Sequence, residues 1–204
     1  MPEFAVVTTT GLPHAGVVGA FFFWAIFVTW VGGEVWLQQH RALPTHAIKQ
    51  DFGSMPLIVA AVWSGVVLGL ASSFALPGLA VGGALEPLFA LGVGLMVSGL
   101  ALRWWAVVSL RSAFTVTVGV PAQEELIVAG PYRLVRHPSY TGSLLTVIGI
   151  AMCFANWLSL VALLLPFGAY AYRIQVEEQA LLARYGDSYR SYRRTTKRLL
   201  PWLI

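Results

Sequence analysis

The sequence predicts an all-α integral membrane protein with about five transmembrane segments. Composition is the first reason: the chain of 204 residues is 57% hydrophobic and only 11% charged, whereas soluble domains carry about 25% charged residues. The second reason is the presence of apolar runs about as long as the ~20 residues that cross a bilayer core. The third is that nearly all lysines and arginines lie in the polar segments between these runs, as the positive-inside rule requires.

The N-terminal half is predicted to contribute three spans to a single domain that covers 1–204. Small residues in the second span favour close approach of a neighbouring helix, and the third span has the length of a full crossing. The predicted spans, which make up most of 1–110, are 15–37, 56–77 and 85–110.

A few residues inside the predicted spans need a specific interpretation. Glu34 is interpreted as an interfacial carboxylate, with a carboxylate that faces the bundle interior as the alternative. Arg103 is expected to extend to the interface or to pair with a bundle carboxylate. Gly92 and Gly99 lie in an apolar helix with no strand before it, so they predict helix packing and not a dinucleotide loop. Cys153 is expected to pack as a small hydrophobe.

The C-terminal region, 111–204, is predicted to hold the functional site and a helical hairpin. The apolar run 142–155 is short for a straight crossing. Asn156 offers a turn, after which 157–176 returns across the bilayer with a kink at Pro166.

Charge predicts the orientation of these segments. Lysine and arginine concentrate in 38–55, in 111–141 and from residue 173 onward. The N-terminus is therefore expected outside, with the C-terminus and the active site in the cytoplasm. Gly186 should end one helix and Asp187 or Ser188 should cap the next. This last helix is expected at the membrane surface, with a cationic face formed by Arg190, Arg193, Arg194, Lys197 and Arg198.

Two classes of function are not favoured by the residues present. The net charge of +4 comes from basic residues at segment ends, which act as topology signals, so we expect no nucleic-acid partner. His40 and His46 are six residues apart and the chain has one cysteine, a pattern that matches no known zinc site. We expect no metal.

The stretch 130–142, GPYRLVRHPSYTG, is the chain's most distinctive motif. It is polar, basic and twice broken by proline, and it lies between long apolar runs. Broken backbone at a bilayer edge is tolerated where it lines a cavity or is buried in protein. An interfacial loop with tyrosines and positive-inside arginines is the alternative.

This motif, read with two later ones, resembles the isoprenylcysteine carboxyl methyltransferase and phospholipid methyltransferase superfamily. The stretch contains that superfamily's RHPxY signature. Residues 173–178, RIQVEE, are similar to its R-x-x-x-E-E element, and 185–189, YGDSY, to the start of its tyrosine-containing tail. The resemblance covers roughly 120–201.

The resemblance implies a methyltransferase that uses S-adenosylmethionine and a lipidic or prenyl-type acceptor. His137 would hydrogen-bond the cofactor, and Tyr140 would pack on it. The acceptor would enter from the membrane lipids, between the hairpin and another span. The cofactor-binding residues implied by motif position are Leu126, Ile127, Gly130, Tyr132, His137, Pro138, Tyr140 and Glu178.

Arg173 and Glu177 are the candidate catalytic residues. Their i, i+4 spacing puts them on one face of a helix. Arg173 would orient an anionic or carbonyl-bearing acceptor, and Glu177 would position the acceptor or take its proton. The alternative is a structural ion pair.

Two rival functions stay open from the sequence. One is an NADPH-dependent membrane reductase of the sterol reductase type, since such enzymes carry a string similar to RHPxY. The other is a non-catalytic scaffold. Binding of S-adenosylmethionine, of NADPH or of neither would distinguish the three, while the sequence leaves the acceptor and the oligomeric state undefined.

Overall fold

The structure of the protein is a computed structural model that describes residues 12, 15–41, 51–83, 85–118 and 125–201. These residues contain helices and isolated bridges but no strand of a sheet, which confirms the all-α prediction. The helices are α1 (Gly16–His40), α2 (Ser54–Ala75), α3 (Leu85–Leu110), α4 (Pro138–Phe154), α5 (Trp157–Ala162), α6 (Leu164–Tyr185) and α7 (Asp187–Thr195).

Four segments of the described chain are long and apolar enough to cross a membrane. They are α1, α2, α3 and the consecutive pair α5 and α6. The predicted boundaries agree closely for the first three, while α6 continues past residue 176 because no glycine or proline interrupts it before Gly186. The expected kink appears as a break at Leu163, since Pro166 has no N–H to donate to the carbonyl of Ala162.

The short helix α4 is the centre of the bundle. Of its 17 residues, 13 are buried, compared with 4 of 25 in α1. Its length of about 25 Å falls short of the hydrocarbon core, but α4 meets protein on most sides and need not match the bilayer. The turn that follows is the one predicted, because the Asn156 side chain accepts from Leu158 N and donates to Ser72 O and Leu76 O.

Glycines allow α3 and α4 to pack backbone against backbone. A Cβ atom added to Gly99 would lie 2.6 Å from the carbonyl oxygen of Gly142, and one added to Gly149 would lie 2.4 Å from that of Gly92. The two pairs are seven residues apart on antiparallel helices, so they form one continuous contact. The packing role predicted for Gly92 and Gly99 is confirmed, and Cys153 is buried beside them.

The C-terminal region folds back onto the polar motif. Gly186, with a φ of +52°, ends α6 as predicted. It also occupies the N-cap position of α7, where no side chain caps the helix, so the predicted capping by Asp187 or Ser188 is wrong. Beyond α7, residues 196–199, which we call the C-terminal strap, run beside the loop 135–141.

Backbone hydrogen bonds join the strap to this loop. Arg136 N donates to Lys197 O at 2.8 Å, and His137 N donates to Arg198 O at 2.9 Å. The hydroxyl of Thr141 donates to the carbonyl oxygen of residue 199 at 2.8 Å. The strap therefore satisfies main-chain donors that the prolines of the motif would otherwise leave without helical partners.

Candidate functional site

A cavity of about 220 Å³ connects the polar motif with the apolar interior of the bundle. Its loop side is lined by residues of the segment before α4 and of the C-terminal helices, among them Leu126, Ile127, Tyr132, His137, Tyr185, Tyr189 and Tyr192. Its α1–α2 side is lined mainly by apolar residues of the first two helices, among them Trp30, Val31, Val35, Ile58, Val62 and Trp63.

The predicted cofactor residues divide into those that line the cavity and those that do not. Lining residues are Leu126, Ile127, Tyr132, His137 and Tyr140. The remaining three, Gly130, Pro138 and Glu178, lie outside the lining.

Gly130 and Pro138 shape the loop. Gly130 has a φ of +61°, and a Cβ atom there would lie 2.7 Å from the hydroxyl oxygen of Ser109, so both conformation and space require glycine. Pro138 is the first residue of α4, a position where the missing N–H has no cost. Together they fix where the loop starts and where the helix takes over.

Glu178 lies behind the cavity wall. Its carboxylate accepts from Arg136 Nε at 2.9 Å and from Arg198 Nη2 at 3.0 Å. It is also 3.5 Å from His137 Nε2. Arg198 therefore contacts this cluster from a position beyond the last helix, with its side chain 42% exposed, and its place on a cationic membrane surface stays a prediction.

His137 is buried between two carboxylates. Its Nδ1 lies 3.6 Å from Glu177 and its Nε2 lies 3.5 Å from Glu178, and its ring stacks on Tyr140 with centroids 5.4 Å apart. Burial lowers the pKa of the imidazole, but the two carboxylates outweigh it and raise the pKa above its usual 6.5. Among the described residues, Nε2 has no hydrogen-bond partner.

Arg173 does not pair with Glu177. Its guanidinium forms a buried ion pair with Asp51, and its Nε donates to the Tyr140 hydroxyl at 3.1 Å. That hydroxyl in turn donates to Glu177 at 2.5 Å. Arg173 and Glu177 contact the same Tyr140 hydroxyl, as a shared helix face predicts, and the alternative of a direct structural ion pair between them is not what the structure shows.

Asp51 is a site residue that the sequence analysis missed. It precedes α2 and accepts from Met55 N at 3.1 Å and, across the bundle, from Val118 N at 3.3 Å. Burial raises the pKa of the carboxyl, but these two N–H groups and the Arg173 guanidinium outweigh it and lower the pKa below 3.8. No local motif marks Asp51, and only the fold brings it to Arg173.

A second, partly buried ion pair joins α1 to α3. Arg103 donates through two nitrogens to both carboxylate oxygens of Glu34, and its Nη1 donates to the Ser139 hydroxyl at 2.9 Å. Both members of the pair line the cavity. Glu34 is therefore not an interfacial carboxylate, and the pairing predicted for Arg103 with a bundle carboxylate is confirmed.

Comparison with known proteins identifies relatives of this chain. The phospholipid methyltransferase family model matches residues 88–188, about half of the chain. A probable protein-S-isoprenylcysteine O-methyltransferase of Oryza sativa is 33% identical over 115 residues, which are 55% of this chain and 60% of the relative. A protein-S-isoprenylcysteine O-methyltransferase of Schizosaccharomyces pombe is 32% identical over 53% of this chain and 48% of the relative.

The chain is also similar to a relative that is named as an S-methyltransferase. Methanethiol S-methyltransferase of Mycobacterium tuberculosis is 42% identical over 74 residues, covering 35% of this chain and 28% of that protein. The matched part thus spans 60% or less of the length of these curated relatives.

The fold has a solved counterpart. The structure of a eukaryotic intramembrane Ras methyltransferase, isoprenylcysteine carboxyl methyltransferase, matches with a TM-score of 0.65 at 21% identity. The match covers 98% of this chain and 74% of that one. The ordered motifs, the family match and the curated relatives support membership of the isoprenylcysteine carboxyl methyltransferase and phospholipid methyltransferase superfamily, and the solved structure shows that the fold is shared.

Proposed function

We propose that this integral membrane protein is an S-adenosylmethionine-dependent methyltransferase that acts on a lipidic or membrane-partitioned acceptor. The observation that carries the proposal is the continuous cavity between the RHPxY loop and the apolar cleft of α1 and α2. A soluble cofactor and a membrane-dissolved acceptor need such a meeting point. The names of the curated relatives support the same class of reaction.

The loop side of the cavity fits the cofactor chemically. Tyrosine faces and carboxylates, including Glu125 and Glu177 on the cavity wall, suit a cationic sulfonium. His137 and Tyr189 line this side, and the Tyr189 hydroxyl is a buried polar atom with no hydrogen-bond partner among the described residues. Leu126 and Ile127 would contact the adenine, and His137 would hydrogen-bond the cofactor.

S-Adenosylmethionine supplies a methyl group that is already activated, so the protein has to align the reactants and exclude water. Tyr140 is central to this task because its hydroxyl joins Arg173 to Glu177. Glu177 would hold the acceptor and take its proton, and Arg173 would fix Tyr140 from the other side. The buried setting strengthens each of these interactions.

The acceptor would reach this point along the α1–α2 side. The cavity is lined by residues of α1 and α2 and also by Ser143 and Tyr170 of the hairpin, which supports entry between the hairpin and another span. The N-terminus would lie outside and the site on the cytoplasmic side, as the charge distribution favours.

Calorimetry on the detergent-solubilised protein tests the proposal. We expect binding of S-adenosylmethionine and none of NADPH, and His137→Ala should weaken that binding by about 1–3 kcal/mol, the cost of an unpaired buried group. His40→Ala is the matched control, because His40 is exposed and stacks on Trp36 outside the cavity. Binding of NADPH alone would favour a reductase, and binding of neither would favour a scaffold.

A further inference from the structure

Every cationic side chain on the described cavity wall already has a carboxylate partner. The four groups concerned are Arg103, Arg136, His137 and Arg173. Their partners within 4 Å are, in the same order, Glu34, Glu178, Glu177 together with Glu178, and Asp51.

Arg103 and Arg173, which line the cavity from α3 and α6, use most of their N–H groups in contacts within the protein. Arg173 and Asp51 have side chains only 3% and 4% exposed, and the same arginine also donates to Ser54 and to the carbonyl of Val116. Arg103 holds both oxygens of Glu34 and reaches Ser139 with its third nitrogen. Neither guanidinium offers the open fork with which arginine binds a carboxylate bidentately.

The loop side does not supply a cation either. Arg136 is bound to Glu178, and His137 lies between two carboxylates. Arg198 reaches Glu178 from a position where its side chain is 42% exposed, so water screens its charge. Glu125 adds a further carboxylate to the cavity wall.

From this pairing we propose, as a refinement that rests on the proposed function, that the acceptor is an uncharged nucleophile carrying a proton, a thiol or an amine, and not a carboxylate. A carboxylate would enter an apolar cleft in which no cationic side chain among the described residues is left to compensate it, and burial of an unpaired charge is costly. The positive charge of the methyl donor is matched by the excess of carboxylates around the loop side.

The transfer balances with Glu177 as the proton acceptor. The lone pair of the acceptor's sulfur or nitrogen forms the new bond to the methyl carbon, while the electrons of the broken carbon–sulfur bond remain on the donor sulfur. The proton of the acceptor passes to the Glu177 carboxylate and from there to water. A carboxylate acceptor would bring no proton and would leave this group without a task.

The relatives do not decide whether the acceptor is a carboxylate or a thiol, because they include both O-methyltransferases and an S-methyltransferase. Glu34 and Asp51, the acids that neutralise the two arginines, both precede the residues 88–188 that match the family model. The acids that neutralise Arg103 and Arg173 therefore lie in a part of the chain that the family match does not cover.

A pair of prenyl probes that differ in one charge tests the proposal by binding alone. The probes are N-acetyl-S-farnesylcysteine, a carboxylate, and its carboxamide, measured by calorimetry in detergent with S-adenosylhomocysteine present. We expect the carboxamide to bind at least ~10-fold more tightly, because only the carboxylate enters with an unpaired charge. Equal binding, or tighter binding of the carboxylate, would overturn the proposal.

Variants that free one arginine should shift this ratio. Asp51→Asn releases Arg173 and Glu34→Gln releases Arg103, so each should move the preference about 10-fold toward the carboxylate probe. Two variants are used so that the test still stands if one of them does not fold. Glu86→Gln, at an exposed position in the first turn of α3, is the control and should leave the binding ratio of the two probes unchanged. An unchanged ratio in folded variants would contradict the proposal.

Methyl transfer to farnesyl thiol, with N-acetyl-S-farnesylcysteine in parallel, then tests the chemistry. We expect methylation of the thiol to exceed that of the carboxylate. Preferred methylation of the carboxylate would overturn the proposal even if the binding ratio agreed. Failure to bind S-adenosylmethionine at all would instead refute the proposed function, and the binding ratio of the two probes would still report the charge of the cleft.

Discussion

Asp51 joins three segments of the chain that are distant in sequence. Its carboxylate contacts the start of α2, the Val118 amide and the Arg173 guanidinium. Such a buried pair contributes little net stability compared with an apolar substitute, but removal of one partner leaves an uncompensated charge in the interior. We therefore expect the largest effect on the stability of the fold when the charge of Asp51 is removed and Arg173 is left unpaired.

Acid should remove the contribution of Asp51. Because its folded-state pKa is lowered below 3.8, the stabilisation is fully present above about pH 4 to 5 and is lost as the pH falls through the folded-state value. At pH 7 we expect Asp51→Asn to cost about 3–5 kcal/mol. The difference in melting temperature from wild type should shrink below pH 4, and a constant difference across this range would contradict the assignment.

Glu177 and Arg173 should respond differently to substitution. Glu177→Gln should lower turnover by on the order of 10²–10⁴, since a proton-transfer or positioning role is lost, whereas melting temperature and cofactor affinity should change much less than turnover. Arg173→Ala should lower both turnover and melting temperature, because it strands Asp51. Turnover that falls only in proportion to stability in both variants would make the pair structural.

The sequence predicted the site only where one local motif holds the residues together. His137 and Tyr140 follow from RHPxY, and both line the cavity. The R-x-x-x-E spacing predicted a shared helix face for Arg173 and Glu177, but it could not predict that a nearer buried acid, Asp51, would compete for the arginine. Ion pairs between distant segments depend on the packing of the whole bundle.

At the scale of elements, the contact between α3 and α4 rests on glycine. Gly99→Ala would place a methyl group 2.6 Å from Gly142 O and from two atoms of Thr146. Backbone atoms cannot move away as a flexible side chain can. We therefore expect the substitution to lower the free energy of unfolding by about 1–3 kcal/mol, the usual cost of overpacking, and to lower the melting temperature accordingly. Gly94→Ala on the same helix meets nothing within 4 Å and should be neutral or slightly stabilising.

The C-terminal strap should be required to hold the loop 135–141 in its conformation. A chain ended after Thr195 lacks the carbonyl oxygens that accept from Arg136 N and His137 N, so the loop should lose its shape and its affinity for S-adenosylmethionine. A chain ended after Pro201 keeps the strap and is the control. Calorimetry measures the affinity of the two shortened chains for S-adenosylmethionine. Equal affinities would show that the loop keeps its conformation without the strap.

Helix lengths explain which elements could be predicted. The long spans follow from hydropathy, because lipid-facing helices must cover the bilayer with apolar residues. The burial of α4 could not be read from its composition, since a short apolar run suits a re-entrant segment and a protein-covered core helix equally well. The strap could not be predicted either, because its contacts are backbone groups that any sequence provides.

For the whole molecule, the distribution of positive charge predicts the topology. A reporter fused to the C-terminus should be cytoplasmic and one fused to the N-terminus external, because the basic segments remain on the cytoplasmic side. Accessibility of the two reporters in intact cells is the measurement. Reporters on the same side would mean an even number of crossings, with α4 failing to cross.

The strap also sets the order in which the protein can mature during synthesis. Thr141 and its partner at residue 199 are separated by 58 positions, which the ribosome needs several seconds to translate at ~5–20 residues per second. During that interval α1, α2 and α3 are already complete and the later helices follow, while the RHPxY loop still lacks its hydrogen-bond acceptors in the strap. On the proposed function, we therefore expect a nascent chain to insert into the membrane before it can bind S-adenosylmethionine, and to become competent for binding only when the strap has been synthesised.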